Sequence, residues 1–504
     1  MAERAEPGEP PAPRWDRLRV EGELGWLRRV LVCSPGEELR RVPPAERDRY
    51  LVEDLLWLER AREQHAAFVR ALEMLMAAAP PAAAGPGAPT HEPQVVDLRA
   101  ALRAALAPGD APAEIAADEL LEAVCRLEPT LAGAELDEEL ASLRARLRAG
   151  GHGVGDDLLA GVLVEHPAPG RELFRICPSP NVMFARDYQF VLGGGAFLSS
   201  MARHARAKEP AIARFVFDHA LGLRDVSLDV HALARGARAK RRLEGVPGRL
   251  SIEGGDVMAL GGGTLLVGIS ERTTWRGATA LALGLRWLRQ RDPSAFPFTE
   301  LCAVELPAKR AMMHLDTVFT LVDRGLALAY PPLTFPGARE EMPVSSCDLT
   351  CDPEAPAPFR YEGPFAGALA RRLSSPGRPL TLIAGGGDRL RFQHREQWCD
   401  ACNAFAVGPG VAVSYDRNDR TLAALRGLDT PAKALLATPG HTRAPAEHLR
   451  PFRLVPAAEL TAGAAQALVA AGERVMVCIE GGELGRARGG PHCMTMALVR
   501  DAEG

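Results

Sequence analysis

Hydrophobic positions in this chain fall repeatedly into two short apolar runs separated by a tight turn. NVMFARDYQFVLGGGAFLSS (residues 181–200) has this form, and so does GGDVMALGGGTLLVGIS (254–270). TVFTLVDRGLALAY (317–330) and NAFAVGPGVAVSYDRN (403–418) repeat it around DRG and GPG, and LRRVLVCSPGEEL (27–39) supplies one more strand running into a PG turn. Turn dipeptides between β-rich runs predict hairpins. Amphipathic stretches follow several of them, as in RGATALALGLRWLRQR (276–291) and FAGALARRLSS (365–375), and predict helices. A strand–strand–helix order recurring at irregular spacing predicts one α/β domain built from repeated modules, and not a doubly wound sheet.

Residues 54–150 break that order. Leu55, Leu58, Ala61, His65, Phe68, Leu72 and Leu75 recur at helical spacing, and residues 113–149 are rich in Ala, Leu, Glu and Arg. Both halves predict a helical insertion. The uncharged stretch 74–91 between them carries the prolines and glycines of APPAAAGPGAP, which make it a linker rather than a membrane span. The predicted layout is a disordered tail over 1–22, an α/β domain over 23–53 and 151–504, and the helical insertion over 54–150.

Composition narrows the partners. A chain of 504 residues, 47% hydrophobic and 25% charged, has the make-up of an ordinary globular protein, and its net charge of −4 gives no reason to expect nucleic acid or an anionic membrane as partner. The first 14 residues lack the apolar core of an export signal, so a cytoplasmic location with reduced thiols is expected for the ten cysteines.

Polar groups cluster at strand ends and turns, where a scaffold presents chemistry. Asn181, Arg186 and Asp187 lie in NVMFARD, Glu253 and Asp256 in EGGD, Glu271 and Arg272 in SERTT, and His314 and Asp316 in MHLDT. The last motif, ELGRARGGPHCMTM, adds Arg486, Arg488, His492 and Cys493. Each has a bland explanation, since an acidic residue before glycine commonly forms a turn and a histidine before an apolar strand is commonly packed. Together they suit one reaction. A thiolate needs a proton acceptor or a positive field, a histidine can hold and return a proton, and paired carboxylates match a planar guanidinium. Spare arginines match a carboxylate for the same geometric reason.

NVMFARD, IEGGDVMALGGGTLLVGISERTT, MMHLDTVFTLVD, REQWCDACN and ELGRARGGPHCMTM, taken in order, resemble the signature motifs of the arginine deiminases. LRRVLVCSPGEEL and YLVEDLLWLERAREQHAAF resemble that family's N-terminal stretch, so the likeness runs from about residue 23 to 501. The resemblance implies a five-bladed pseudosymmetric α/β propeller of ββαβ modules with a helical insertion. It implies hydrolysis of free L-arginine to citrulline and ammonia, with Cys493 as nucleophile and His314 as general acid and base. Asp187 and Asp316 would hold the guanidinium, and Glu253 would support the histidine and substrate. Asn181, Arg206, Arg272 and Arg488 would grip the amino-acid end, with Leu51 and Phe184 as walls. No cofactor and no metal are implied; neither nucleic acid nor a membrane is an expected partner, and a homo-oligomer is the expected assembly.

The chain departs from the family pattern in a longer stretch at 427–472, in Cys399 and Cys402, and in the TMAL ending. Cys347, Cys351, Cys399 and Cys402 form a CxxxC and a CxxC pair, a possible zinc set that no histidine reinforces, so free buried thiols are expected. An amidinotransferase of the same superfamily, or an inactive arginine-binding regulator, are the alternatives. The second would require a lost nucleophile or acid, and all five catalytic candidates are present.

Overall fold

The four predicted hairpins form. Their strands are Gln189–Leu192 with Gly195–Leu198, Val257–Gly261 with Thr264–Ile269, Phe319–Asp323 with Leu326–Ala329, and Phe405–Gly408 with Val411–Tyr415, each pair antiparallel. Gly325 and Gly410 close two of these turns at φ 70° and 74°, a region costly for any residue with a Cβ. The protein is described by a computed structural model over residues 13–82, 93–107, 111–151, 153–165, 172–233, 241–427, 433–436 and 450–503.

One grammar repeats among these residues. The second strand of each hairpin leads into helical structure, and the chain returns as a parallel neighbour: Ser227–Asp229, Glu300–Glu305, Leu380–Ala384 and Val475–Ile479 respectively. The predicted helices are there, as Trp275–Arg291, capped by the Thr274 side chain, and Phe365–Leu373. A fifth unit is assembled from both ends of the chain. Met496–Arg500 runs antiparallel to Leu27–Val32, the helix Leu58–Ala78 follows, and Gln94–Asp97 pairs parallel to Leu27–Val32.

The predicted insertion therefore shifts. The apolar stripe of Leu58–Ala78 is buried against Ala462–Ala470 and Val475–Ile479, so this helix covers a sheet of the repeated units. A 3.6-residue period reports a buried face and not what buries it, which is why the two roles look alike in sequence. The inserted helices are Leu98–Ala105, Ala111–Arg126, Ala134–Arg148 and Val154–Ala160, running past residue 150 into the antiparallel pair Val162–Glu165 and Glu172–Ile176. Most of the predicted linker falls outside the described residues, as do residues 1–12. The rest of the expected tail is ordered. Leu18 and Val20 are buried, Arg19 N–H donates to Leu498 O at 3.0 Å and Val20 N–H to Gly193 O at 3.1 Å, because two apolar side chains in this short polar segment have a cleft to fill. No helix among the described residues is long and apolar enough to cross a membrane.

What this grammar does for chemistry is place five short loops alike. Each loop immediately precedes the first strand of its unit: Ala185–Tyr188, Gly254–Asp256, Leu315–Thr317, the turn 399–404, and residues 484–495.

Candidate active site

The catalytic candidates lie on those loops or at their first residue. Asp187 stands two residues before its strand, Glu253 four before, Asp316 three before and Cys493 three before, with His314 starting the Leu315–Thr317 turn. Glycine lets two of the loops touch. A Cβ on Gly255 would sit 2.6 Å from His314 Nδ1 and 3.0 Å from Asp187 Oδ1, so the EGGD glycine lets backbone pass against the imidazole.

Leu51, Asn181, Phe184, Asp187, Arg206, Arg272, His314, Arg488 and Cys493 line one cavity, joined by Arg310, Met313, Thr317 and Ala487. Glu253 and Asp316 are fully buried and reach it through His314 and Cys493. His314 Nε2 lies 2.9 Å from Glu253 Oε2, and its Nδ1 lies 3.6 Å from Asp187 Oδ1. Burial works against a charged imidazole, but Asp187, Glu253 and Asp256 outweigh it and push His314 up to about 9. Glu253 is pushed down to about 2: burial resists, and the hydrogen bond with His314 and the charge of Arg272 prevail.

Cys493 Sγ lies 3.3 Å from Asp316 Oδ2. Burial, then the carboxylates Asp316, Asp187 and Asp400, raise this thiol well above its usual range. The positive field expected around the nucleophile is thus not supplied by the protein alone. His492, the neighbour in sequence, faces the other way, with Nδ1 2.9 Å from Asp316 Oδ2 and Nε2 3.3 Å from Glu23 Oε2. That contact, against the cost of burial, holds Asp316 below the usual carboxylate range.

The arginines divide. Arg206 is saturated: it donates to Glu209 at 2.8 Å, to Asn181 O at 3.1 Å and to Asp187. Arg488 donates to Ala311 O at 3.0 Å and to Trp398 O, and stacks 3.9 Å over the Trp398 ring. Arg272, 2% exposed, has Nε and Nη1 without a hydrogen bond; its nearest carboxylates, Glu253 and Glu271, stand at 3.8 Å. Asn181 donates to Tyr50 O at 2.7 Å, which fixes the segment carrying Leu51. The other polar candidates are structural: Arg186 donates to Thr495 O at 3.0 Å, Asp256 accepts from Leu315 N–H at 2.9 Å, Glu271 pairs with Arg203, and Arg486 donates to Asp54 at 3.0 Å.

Asp187, Glu253 and His314 bring ligand-type atoms within 4.8 Å of one another, the one such group of three among the described residues. Glu253 pairs with His314 and faces Arg272 at 3.8 Å, and Asp187 pairs with Arg206 through Oδ2 while its Oδ1 has no hydrogen bond. Cys347, Cys351, Cys399 and Cys402 do not converge, and only two of these free thiols are buried as expected: Cys347 and Cys402 are, while Cys399 is half-buried and Cys351, just past the end of its strand, is exposed.

Sequence inspection passed over Asn403, Glu23 and Arg310. Glu23 lies inside the expected catalytic domain but far along the chain from His492, and Arg310 donates to Leu51 O at 3.0 Å from a loop without a motif. Asn403 had a signal, since it occupies the place before a first strand that the other four units give to Asp187, Glu253, Asp316 and Cys493.

Comparison with known proteins shows the family of the chain. A family model described as arginine deiminase matches residues 162–500. An arginine deiminase of Rhodococcus opacus (strain B4) is 30% identical over 96% of this chain and 98% of its own length. Those of Mycolicibacterium gilvum (strain PYR-GCK) and Streptococcus pyogenes serotype M3 (strain SSI-1) are 31% identical over 81% of this chain and 90% of theirs, and 28% over 96% and 98%. Among solved structures, the product-bound N-terminal domain of ArgZ, an arginine dihydrolase, aligns at 14% identity and TM-score 0.41 over 94% of this chain and 97% of that one. A dimethylarginine dimethylaminohydrolase carrying an S-methyl-L-thiocitrulline adduct aligns at 11% and 0.40 over 94% and 100%. By the family match and by its full-length relatives, the chain belongs to the arginine deiminase family.

Proposed function

We propose that this protein hydrolyses free L-arginine to L-citrulline and ammonia through a covalent bond between Cys493 and the guanidinium carbon. One observation carries the reading: the site holds unspent groups of both signs. Asp187 Oδ1 and Asp316 Oδ1 are buried acceptors without a hydrogen bond, while Arg272 Nε and Nη1 and Arg488 Nε are buried donors without one. Buried polar groups are costly when unsatisfied, so a ligand cationic at one end and anionic at the other completes the site. Arginine is such a molecule. The five strand–strand–helix–strand units, one of them uniting the chain ends, support a five-bladed propeller around the site.

The guanidinium sits between Asp187 and Asp316 and offsets the negative field that keeps Cys493 protonated. The thiol then loses its proton to solvent, and sulfur bonds to the guanidinium carbon. Protonated His314 gives its proton to the departing nitrogen, the C–N bond breaks and ammonia leaves an S-alkylthiouronium. Neutral His314 takes a proton from water, whose oxygen bonds to the same carbon. The C–S bond then breaks, the hydroxyl proton returns to sulfur, and citrulline leaves. At about 20 Å³ the cavity holds about one water, so arginine displaces part of its wall. Leu51 and Arg488, at φ 59° and 66°, are wall residues held in strained backbone, the form in which a movable segment stores energy.

Agmatine, which lacks the α-carboxylate, isolates the anionic end. A charge-assisted contact contributes about 1.5–3 kcal/mol, so arginine should exceed agmatine in kcat/KM by about tenfold to a hundredfold. Arg272→Ala should remove that preference while leaving the weak agmatine rate unchanged. Equal wild-type use of both substrates sinks the carboxylate clamp, and absence of citrulline from arginine sinks the activity. Transfer of the amidino group to an added amine would identify an amidinotransferase instead.

A further inference from the structure

We infer that Asn403 is a catalytic residue of this site: its amide N–H is the donor that stabilises the Cys493 thiolate. The inference rests on Cys493 being the nucleophile proposed above.

Asn403 is fully buried and its amide orientation is over-determined. Oδ1 accepts from Cys493 N–H at 3.0 Å, and Nδ2 donates to Asp316 O at 3.0 Å. Swapping the two atoms would set donor against donor and acceptor against acceptor, so the nitrogen is fixed on the side it occupies. There it lies 3.2 Å from Cys493 Sγ. The other groups acting on that sulfur, Asp316, Asp187 and Asp400, are carboxylates, and each favours the thiol over the thiolate. A neutral donor is what can favour the anion without repelling the incoming guanidinium, as an arginine or lysine here would.

The surrounding chain is shaped to hold this amide. His492 N–H donates to Asn403 O at 3.2 Å, and a Cβ on Gly490 would sit 2.7 Å from Asn403 Oδ1, so the segment Gly490–Cys493 wraps the side chain closely. Topology gives the same answer. Asp187, Glu253, Asp316 and Cys493 each come from the loop before the first strand of a unit, and Asn403 comes from that loop in the remaining unit. Every unit then delivers at least one polar side chain to the same reaction.

The test needs no substrate. Purified full-length protein, Asn403→Ala and Asn403→Asp are treated with iodoacetamide across pH 6–10, and alkylation is followed by mass on the peptide containing Cys493. Thermal melts of all three identify folded samples, and Asp supplies a near-isosteric second variant that keeps the acceptor for Cys493 N–H. Loss of a hydrogen bond to a charged group should slow alkylation at pH 8 about tenfold to a hundredfold and move its midpoint to higher pH. Citrulline production should fall at least as far, in kcat more than in KM. A Cys493 alkylation profile matching wild type in the folded variants overturns the inference, even if turnover falls. A shifted profile in a protein whose wild type makes no citrulline upholds it and refutes the proposed activity instead.

Discussion

At the residue scale, the site is a balance between buried charge and its compensation. Cys493→Ser should abolish citrulline production with the melting temperature unchanged, because a hydroxyl ionises far less readily than a thiol in the same negative surroundings. Substantial turnover by the Ser variant would count against a covalent route. His314 sets the alkaline limit. Its folded value, about 9, lies above the ordinary 6.5, so the proton needed by departing ammonia is present at neutral pH and lost on going upward through about 9. kcat/KM for arginine should fall through that range. The same sign applies to stability: the contribution from protonated His314 is complete below about 6.5 and disappears as pH rises through about 9. A pH–rate profile flat to pH 10 would show that the imidazole is not the acid. Asp187, Glu253, His314, Asp316 and Cys493 could all be picked out in the sequence as candidates because each lies in a short motif at a strand end. Asn403 carried only its place before a strand as a signal, since an amide has no charge to attract notice and its contacts bridge 87 and 90 positions of chain.

At the element scale, the loops before the first strands owe their geometry to close backbone approach. Gly255→Ala isolates that contribution, because Gly255 is not among the glycines with positive φ and the substitution adds only a methyl. The methyl would meet a buried imidazole at 2.6 Å, which must move. A displacement of about 1 Å costs about a hundredfold in rate, so kcat should drop by that order while the protein remains folded. Measurement of kcat beside a thermal melt decides it, and wild-type kcat would show that the imidazole has room. The hairpins themselves were readable from turn dipeptides between apolar runs. The role of Leu58–Ala78 was not, because its stripe of Leu58, Phe68, Leu72 and Leu75 would look the same against a helix bundle as against the sheet it covers.

At the scale of the whole molecule, the two chain ends close the structure. Arg500, fully buried in the last strand, donates to Gly25 O at 2.8 Å and to Ala406 O at 2.7 Å, lies 5.1 Å from the Phe405 ring and stands 4.0 Å from Glu23. It ties the N-terminal segment, the last strand and the 405–408 strand at one point. Arg500→Ala leaves two buried carbonyls without a donor, while Arg186 and His492 still face Glu23, and should destabilise by about 2–5 kcal/mol. The midpoint of urea unfolding reads this directly, and a change under about 1 kcal/mol would mean the ends are held mainly by strand pairing.

The sequence by itself determined what is local or periodic: the hairpin turns, the amphipathic helices and the placing of the polar candidates at strand ends. Tertiary structure decided what depends on distant chain segments meeting. It joined Met496–Arg500 to Leu27–Val32, ordered Leu18 and Val20 in a segment that reads as a tail, and moved Leu58–Ala78 and Gln94–Asp97 from the insertion into a sheet unit. It also separated the three arginines, saturating Arg206 with Glu209 and Asp187 while leaving donors of Arg272 unspent. The reason is physical. Turn and helix preferences act over a few residues, whereas burial, ion pairing and the orientation of an amide are set by whichever groups the fold brings within about 4 Å.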